Sequence, residues 1–532
     1  MNSLPPVEER TLGQAFARAL SQQPDKVAYI DDACDEWTYR QAFDESLCIA
    51  GGVLRAGVSA QQPVAVMLDN SLDHLFTAYG LGLTRRIQVP LNTAYKGTFL
   101  AHILNDCGAR VLVIEDHYAD RLALIADDLE HLEHVIVRGG DGAVLAGTRW
   151  AVAPFAALSD GPPAVEEPSS AGDLMAYMYT SGTTGLSKGV EVTHAHAYTY
   201  ASREDSKRPN ENDRILLMLP MFHLAGQWYG GYQSLIARAT CVVQPAFSVS
   251  NFWGWIRDFQ ITEAVMLGAV AELLQQAEPR DDDSDNSLEL AVMAPLASDM
   301  DGFRKRFGIE IGAVYGMSEI GAVLVSDPPN VVAGESGIAR AGYDLRLVDE
   351  EGNDVPDDAA GELWIRAESP EVTMRGYHGL PEKTAETVVD GWIRSGDIFK
   401  RDSAGHYYFM DRHKDALRRR GENISSFEVE AALNEFPDVF ESAVVAVPSA
   451  LGEDEIKAVI VPRQGRDIDL VALTRFMIER VPFFMVPRYF QLADELPKTP
   501  TLKIQKHLLR NTPIDDGVWD REAAGITVSR RS

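Results

Sequence analysis

The sequence predicts an α/β protein. It comprises a large amino-terminal region of layered α/β subdomains, a small β-rich subdomain at its end, and a smaller α+β carboxy-terminal domain. Three observations predict this. Through about residue 320, apolar residues at helical spacing alternate with short apolar runs, the pattern of strands interleaved with helices. From about 335, short strand-like runs separated by turns take over. After Arg412 helix-like and strand-like segments mix again, over a length that suits an independent domain.

Thr11 to Gln23 has the apolar spacing of a helix, and Leu72–Leu83 has it again. Val64–Leu68 and Arg110–Ile114 are apolar runs short enough to be strands. Gly139–Gly147 and Asp160–Ser170 are turn-rich and read as loops. Residues 171–320 repeat the alternation, with strands at Ile215–Leu219, Thr240–Val243 and Ala264–Leu267. The acidic run from Pro279 to Asp285 reads as a solvated loop rather than a metal site. Asp344–Asp349, Gly361–Arg366, Gly391–Ile393 and His406–Met410 read as short strands, and Asp402-Ser403-Ala404-Gly405 as a hairpin loop. Ser426–Asn434 and Leu470–Val481 read as helices around strands at Ser442–Val447 and Lys457–Val461. Residues 511–532 carry little pattern and read as a tail.

Composition narrows the function. The chain has 532 residues, room for two to four domains. Its formal net charge of −30 disfavours nucleic-acid polymers and anionic membranes as partners. Cys34, Cys48, Cys107 and Cys241 lack CxxC spacing and read as buried small hydrophobes, not as a zinc site or disulfide framework. The first ten residues have no basic n-region or apolar core, so no signal peptide is predicted. No apolar run reaches the roughly 18 residues that span a bilayer. A cytoplasmic protein is expected.

The most informative stretch is Tyr179-Thr180-Ser181-Gly182-Thr183-Thr184-Gly185-Leu186-Ser187-Lys188-Gly189-Val190. The apolar run Leu174–Met178 leads into it. Glycines let backbone approach a ligand closely, successive N–H groups can cradle an anion, and hydroxyls and Lys188 add donors. The spacing is not that of a Walker A loop. The competing reading, a flexible surface turn, loses ground to the run of hydroxyl and glycine positions closed by Lys188-Gly189.

This loop resembles the signature loop of the adenylate-forming superfamily, which holds acyl-CoA synthetases, peptide-synthetase adenylation domains and luciferases. Four more stretches resemble its motifs in the family's order: Tyr315-Gly316-Met317-Ser318-Glu319, Trp392-Ile393-Arg394-Ser395-Gly396-Asp397, Asp411-Arg412-His413-Lys414-Asp415 and Leu496-Pro497-Lys498-Thr499-Pro500-Thr501-Leu502-Lys503. The resemblance implies two half-reactions: a carboxylate attacks the α-phosphate of ATP, and a thiol then attacks the acyl adenylate. It implies domains at 1–411 and 417–532, with a β-rich subdomain at about 335–411, a hinge at 412–416 that pivots on Lys414, and a mobile terminal domain.

The resemblance also implies the site. Thr180, Ser181, Gly182, Thr183, Thr184, Gly185, Lys188, Ala294, Pro295, Tyr315, Gly316, Met317, Ser318, Asp397, Arg412 and Lys503 would bind the nucleotide. Glu319 would hold Mg²⁺, with Thr180 or Thr184 as a further ligand, since a hard cation prefers oxygen. Tyr315 offers a flat face for adenine, although an ordinary core aromatic is the plainer reading. Asp397 would accept from the ribose hydroxyls, and Arg412 would donate to the same sugar. Lys503, Glu319, Ser318 and His223 form the implied catalytic set, with Lys498 and Lys506 as close competitors of Lys503. Arg420, Gly421 and Glu422 fall in the loop implied for thioester formation with CoA. Two departures stand out. Arg420-Gly421 replaces a frequent Gly-Gly, and Leu502 replaces a frequent Gly.

Met221-Phe222-His223-Leu224-Ala225-Gly226-Gln227 resembles the pocket-entry motif, and His223, Gln227, Trp228, Gly268, Ala269 and Gly321 are its candidate acyl-pocket residues. No Asp suited to an α-ammonium can be placed there. Small residues, among them Gly226, Gly230, Gly231, Gly268 and Gly321, suggest a bulky hydrophobic acid, alicyclic or steroid- or terpenoid-like. Packing and turn duty for the same glycines is an equal reading. The expected activity is an ATP-dependent, AMP-forming acyl-CoA ligase using ATP, Mg²⁺ and CoA on a small-molecule carboxylic acid. Alternatives are a carnitine/crotonobetaine-type or medium-chain fatty acid CoA ligase, a stand-alone adenylating enzyme that loads a carrier protein, and a luciferase-like oxidase. A homodimer stays open. A hydrolase is disfavoured, because neither Gly-Glu-Ser-Gly at 334–337 nor the 316–321 segment has the nucleophile-elbow spacing. Two local basic stretches suit the anionic substrates: Arg412, Lys414, Arg418, Arg419 and Arg420 against one acid, Asp415, and Lys498, Lys503, Lys506 and Arg510 against none.

Overall fold

The computed structural model describes residues 4–180, 187–203, 208–297, 299–349, 351–412, 416–419, 422–449, 454–497, 504, 506–510, 512, 514–515 and 517–528. The chain divides into two compact units. One comprises Met1–Thr93, Leu104–Tyr179 and Gly189–Asp411; the other comprises Ala94–Ile103, Thr180–Lys188 and Arg412–Ser532.

Two sheets organise the larger unit. In the first, Ile87–Pro90, Pro63–Met67, Val111–Glu115, His134–Arg138 and Ala151–Pro154 run parallel in that spatial order, and Leu174–Thr180 and Lys188–Thr193 extend it on the other side of Ile87–Pro90. Helices between the parallel strands supply the crossovers. Two helices of this unit start on caps readable in the sequence: Thr11 Oγ1 accepts from Gln14 N for helix Leu12–Gln22, which precedes the first strand, and Ser71 Oγ accepts from His74 N for the crossover helix Leu72–Leu83. The second sheet has a parallel centre of Thr240–Val243, Arg214–Leu217, Glu263–Met266, Leu290–Met293 and Glu310–Met317. Strand Gly321–Ser326 folds back antiparallel on Glu310–Met317.

The strands expected over 335–411 do form, but they continue this second sheet, joined to it through Gly337–Ala339. Their own apolar cluster includes Ile320, Leu324, Leu363, Ile365, Ile393 and Phe399. The hairpin loop at 402–405 links Trp392–Arg401 to His406–Arg412, and Asp402 Oδ1 accepts from the backbone of Ala404 and His406.

In the smaller unit, Val439–Pro448, Asp454–Pro462, Tyr489–Leu492 and Val518–Asp520 form a four-stranded sheet. Helix Ser426–Asn434 lies where the spacing predicts it, and helix Leu470–Arg480 ends one residue short of its predicted bound. The reading of 511–532 as a tail is corrected here. Val518–Asp520 pairs with Tyr489–Leu492, and Arg521, 1% exposed, donates to Pro487 O and Ile526 O at 3.0 and 2.8 Å. Three residues on a sheet edge leave no periodicity to read, because their partner lies about 30 residues upstream. The cysteine reading also needs correction. All four are free, but only Cys107 and Cys241 are buried; Cys34 is exposed, with a φ of 68°. Among the described residues, no helix is long and apolar enough to cross a membrane.

Candidate active site

In the larger unit the site is built on one tight reversal. Strand Glu310–Met317 meets Gly321–Ser326 with Gly316 opposite Ala322 and Met317 opposite Gly321, and the register shifts between Tyr315 and Gly316. A Cβ on Gly316 would fall 2.2 Å from Gly321 O, so only glycine lets the strands approach this closely. Gly321 has a φ of +78°, the left-handed conformation that ends the turn. Ile320, fully buried, donates its N–H to Met317 O at 3.2 Å. Half-buried Ser318 and buried Glu319 ride on this turn.

Tyr315 points to a partner far along the chain. Its hydroxyl donates to Asp397 Oδ2 at 2.7 Å, and its ring stands edge-on to Phe399 with centroids 4.8 Å apart. Asp397 is 6% exposed, and its N–H donates to Ser395 Oγ at 3.0 Å. Gly396 has a φ of +72°, and its N–H donates to Glu362 Oε1 at 3.1 Å. The structure therefore brings together the two motifs expected at adenine and ribose. Glu319 is held by Tyr377, whose hydroxyl donates to Glu319 Oε1 at 2.9 Å. Burial first, and Glu319 second, hold the Tyr377 phenol well above its ordinary pKa. Sequence reasoning missed Tyr377, since it lies in the two-residue strand Gly376–Tyr377 with no local pattern.

The pocket-entry residues divide. His223 is half-buried and precedes the turn Leu224–Gly226, and its carbonyl accepts from Gln227 N at 3.1 Å. Gln227 opens the π-helical segment Gln227–Tyr232, a form frequent at functional sites. Its Nε2 donates to Gln88 Oε1 at 2.8 Å on a strand of the other sheet. Trp228 is 1% exposed and meets Tyr200 edge-on at 5.9 Å. Gly268 starts helix Gly268–Gln276 and packs on the segment after Ala294: a Cβ there would fall 2.9 Å from both Pro295 O and Leu296 O. The side chain of Ala269 lies outside the described residues.

Gly226, Gly230 and Gly231 are close-packing positions, whereas a Cβ on Gly321 would meet nothing nearer than His196 Nε2 and Tyr343 Oη at 3.5 Å. A Cβ would fall 2.1 Å from Pro220 O at Gly226, 2.7 Å from Leu217 at Gly230 and 2.6 Å from Leu75 at Gly231. Their small size lets neighbours in and leaves no room for a ligand. Beside them Leu219, Tyr229, Val265, Leu290, Val292 and Ala322 form a buried apolar core cluster, with half-buried Tyr200, Ala225, Leu267 and Val314 packed against it.

In the smaller unit, Thr180 ends strand Leu174–Thr180 and Lys188 opens strand Lys188–Thr193. Ser181, Gly182, Thr183, Thr184 and Gly185 lie outside the described residues, as do Lys414, Arg420, Gly421 and Lys503. Arg412 ends strand His406–Arg412 and Glu422 opens strand Glu422–Ser425, but their side chains lie outside the description too. Ser187 Oγ donates to Glu428 Oε1 at 3.1 Å, and burial pushes the Glu428 carboxyl up to about 8. Two basic residues have structural partners. Arg419, 1% exposed, pairs with Glu455 at 2.9 Å and donates to Phe484 O and Val486 O. Lys506 pairs with Glu430 at 2.6 Å and donates to Ser426 Oγ.

The donor set fits magnesium in one mode. Among the described residues no group of three or more His, Cys, Asp and Glu could hold a metal ion. One buried carboxylate, Glu319, suits an ion that keeps most of its ligands as water and substrate phosphate.

Comparison with known proteins matches the chain to one family over most of its length. The model of the family described as AMP-binding enzyme matches residues 16–378, and that of the AMP-binding enzyme C-terminal domain matches 428–503. Crotonobetaine/carnitine–CoA ligase from Citrobacter koseri is 27% identical over 487 residues, covering 89% of this chain and 93% of the relative. The Escherichia coli O157:H7 enzyme of that name is 28% identical over 466 residues, covering 85% and 89%. The solved structure of the anthranilate CoA ligase AuaEII with anthranoyl-AMP is 26% identical at a TM-score of 0.71, covering 98% of this chain and 99% of that one. o-Succinylbenzoate CoA synthetase from Bacillus subtilis shares the fold at a TM-score of 0.82 and 21% identity, covering 95% and 99%.

Proposed function

The chain belongs to the AMP-binding enzyme family, and on that premise we propose that it activates an apolar carboxylic acid as its acyl adenylate and passes the acyl group to CoA. In the first step a carboxylate oxygen attacks the α-phosphorus and the bond to pyrophosphate breaks. In the second, a thiol sulfur attacks the acyl carbon, AMP leaves and the thiol proton is released. The carboxylate is already ionised near pH 7, so the first step needs positioning and charge stabilisation rather than a base.

The observation that carries this reading is the 2.7 Å hydrogen bond between Tyr315 and Asp397, 82 residues apart, beside the Glu319 turn. Tyr315 supplies a ring held upright by Phe399, suited to a purine face. Asp397 is an acceptor suited to ribose hydroxyls. Mg²⁺, when bound, would neutralise phosphate charge, and Glu319 is the residue that would hold it. Lys503 is the proposed electrostatic partner of the α-phosphate, Lys414 the hinge pivot, and Arg420 to Glu422 the thioester loop. These three roles rest on motif position alone.

The cluster of Leu219, Tyr229, Val265, Val292 and Ala322 is packed core, so support for an apolar acyl group comes from the similarity to acyl- and aryl-CoA ligases such as the anthranilate CoA ligase. The packed glycines give no support to steroid size. A second reading, an acid with a quaternary ammonium, is favoured by the names of the crotonobetaine/carnitine relatives and by the aromatic group Tyr200, Trp228 and Tyr229. The test is a panel of aromatic, alicyclic, linear and betaine acids, with ATP and CoA, read by pyrophosphate release and thioester formation. Release with aromatic or alicyclic acids supports the first reading. Release with betaines alone supports the second. Pyrophosphate release without thioester excludes CoA as acceptor.

A further inference from the structure

One residue outside every recognised motif touches the candidate metal carboxylate. Tyr377 and Glu319 are both 7% exposed, and the phenol hydroxyl donates to Glu319 Oε1 at 2.9 Å. The same segment grips Glu319 a second time, since Met374 N–H donates to Glu319 O at 2.9 Å. Residues 374–377 thus hold both the main chain and the carboxylate of Glu319.

Tyr377 is itself fixed. Strand Gly376–Tyr377 pairs antiparallel with Glu191 and Val190, and Tyr377 N–H donates to Thr384 Oγ1 at 2.9 Å. Glycine at 376 permits that contact, because a Cβ there would lie 3.0 Å from the Thr384 side chain. An untethered glutamate loses rotamer freedom when a ligand immobilises it, so fixing it beforehand aids binding. A phenol donating to a carboxylate is a charge-assisted bond, stronger than a neutral one, and the carboxylate keeps further acceptor sites for a cation.

We propose that Tyr377 is a positioning residue that orients the Glu319 carboxylate for the divalent ion bound with ATP. The proposal rests on the reading of Glu319 as the metal carboxylate, and Tyr377 acts through Glu319 without touching substrate.

The test is a double-mutant cycle in the full-length chain using Tyr377→Phe, Glu319→Gln and both together. The probe is Mn²⁺ in the presence of a non-hydrolysable ATP analogue, with free Mn²⁺ read by electron paramagnetic resonance. Tyr377→Phe is expected to raise half-saturating Mn²⁺ roughly tenfold, and to raise the Mg²⁺ requirement of pyrophosphate release in parallel. In the Glu319→Gln background it should add little. If Glu319→Gln leaves Mn²⁺ binding unchanged, the metal reading of Glu319 fails and the proposal falls with it. If Glu319→Gln weakens binding while Tyr377→Phe does not, or if the two effects simply multiply, the metal reading survives and the positioning role is overturned. Should Tyr377→Phe not fold, Thr384→Val carries the test, since it removes the hydroxyl that receives the Tyr377 amide. Wild-type Mn²⁺ binding there would overturn the proposal.

Discussion

Gly316→Ala perturbs the site through backbone alone. The added Cβ would lie 2.2 Å from Gly321 O and 2.9 Å from both Gly321 C and Ala322 Cα. All three are main-chain atoms, so no rotamer change relieves them. Carbon contacts settle near 3.5–4.0 Å, so the paired strands must part by about 1 Å. Overpacking of this kind costs about 1–3 kcal/mol of stability. The turn bearing Ser318 and Glu319 moves with the strands, and a misplacement of about 1 Å at a reacting centre costs on the order of 10²-fold in rate. Urea melts and pyrophosphate release measure the two effects separately. Gly254 is the internal control. It lies in helix Phe252–Asp258 with nothing within 4 Å of its would-be Cβ, so Gly254→Ala should stabilise by about 0.5–1 kcal/mol and leave activity alone. Activity within twofold of wild type and an unshifted melt for Gly316→Ala would show that the hairpin yields freely, and the packing argument would fail.

Asp397→Asn keeps an acceptor for Tyr315 but removes the charge. It should raise KM for ATP roughly tenfold and leave KM for the acid nearly unchanged, and equal rises would place Asp397 elsewhere. Glu428 holds a proton in the folded chain that the unfolded chain releases near 4.5, so stability should fall as pH rises from about 4.5 to about 8 and level off above. Glu428→Gln should flatten that part of the melting profile, and an unchanged slope would contradict it. Lys503→Ala should abolish adenylate formation while sparing thioester formation from supplied acyl adenylate, and equal loss in both would remove its assigned role.

Local signals fared according to how local their causes were. Helices Leu12–Gln22 and Leu72–Leu83 were legible because spacing and the capping hydroxyls of Thr11 and Ser71 lie within a few residues. Buried parallel strands such as Thr240–Val243 were legible as apolar runs. Tyr315, Asp397 and Glu319 were found through motif resemblance, and chemistry alone would have left Tyr315 an ordinary core aromatic. The glycines near the pocket-entry motif could not be sorted from sequence. Gly226 and Gly231 are packed against Pro220 and Leu75, and no pattern announces a neighbour 156 residues away.

The order of elements, the family and the residue types available to the chemistry were written in the chain itself, because helix caps, alternation and motifs act over short spans. Pairing was not. That Tyr315 bonds Asp397, that Tyr377 holds Glu319, and that 518–520 becomes an edge strand depend on strand register, which brings distant segments within 3 Å of each other. Register answers to the packing of whole faces, and only the tertiary structure sums those contacts.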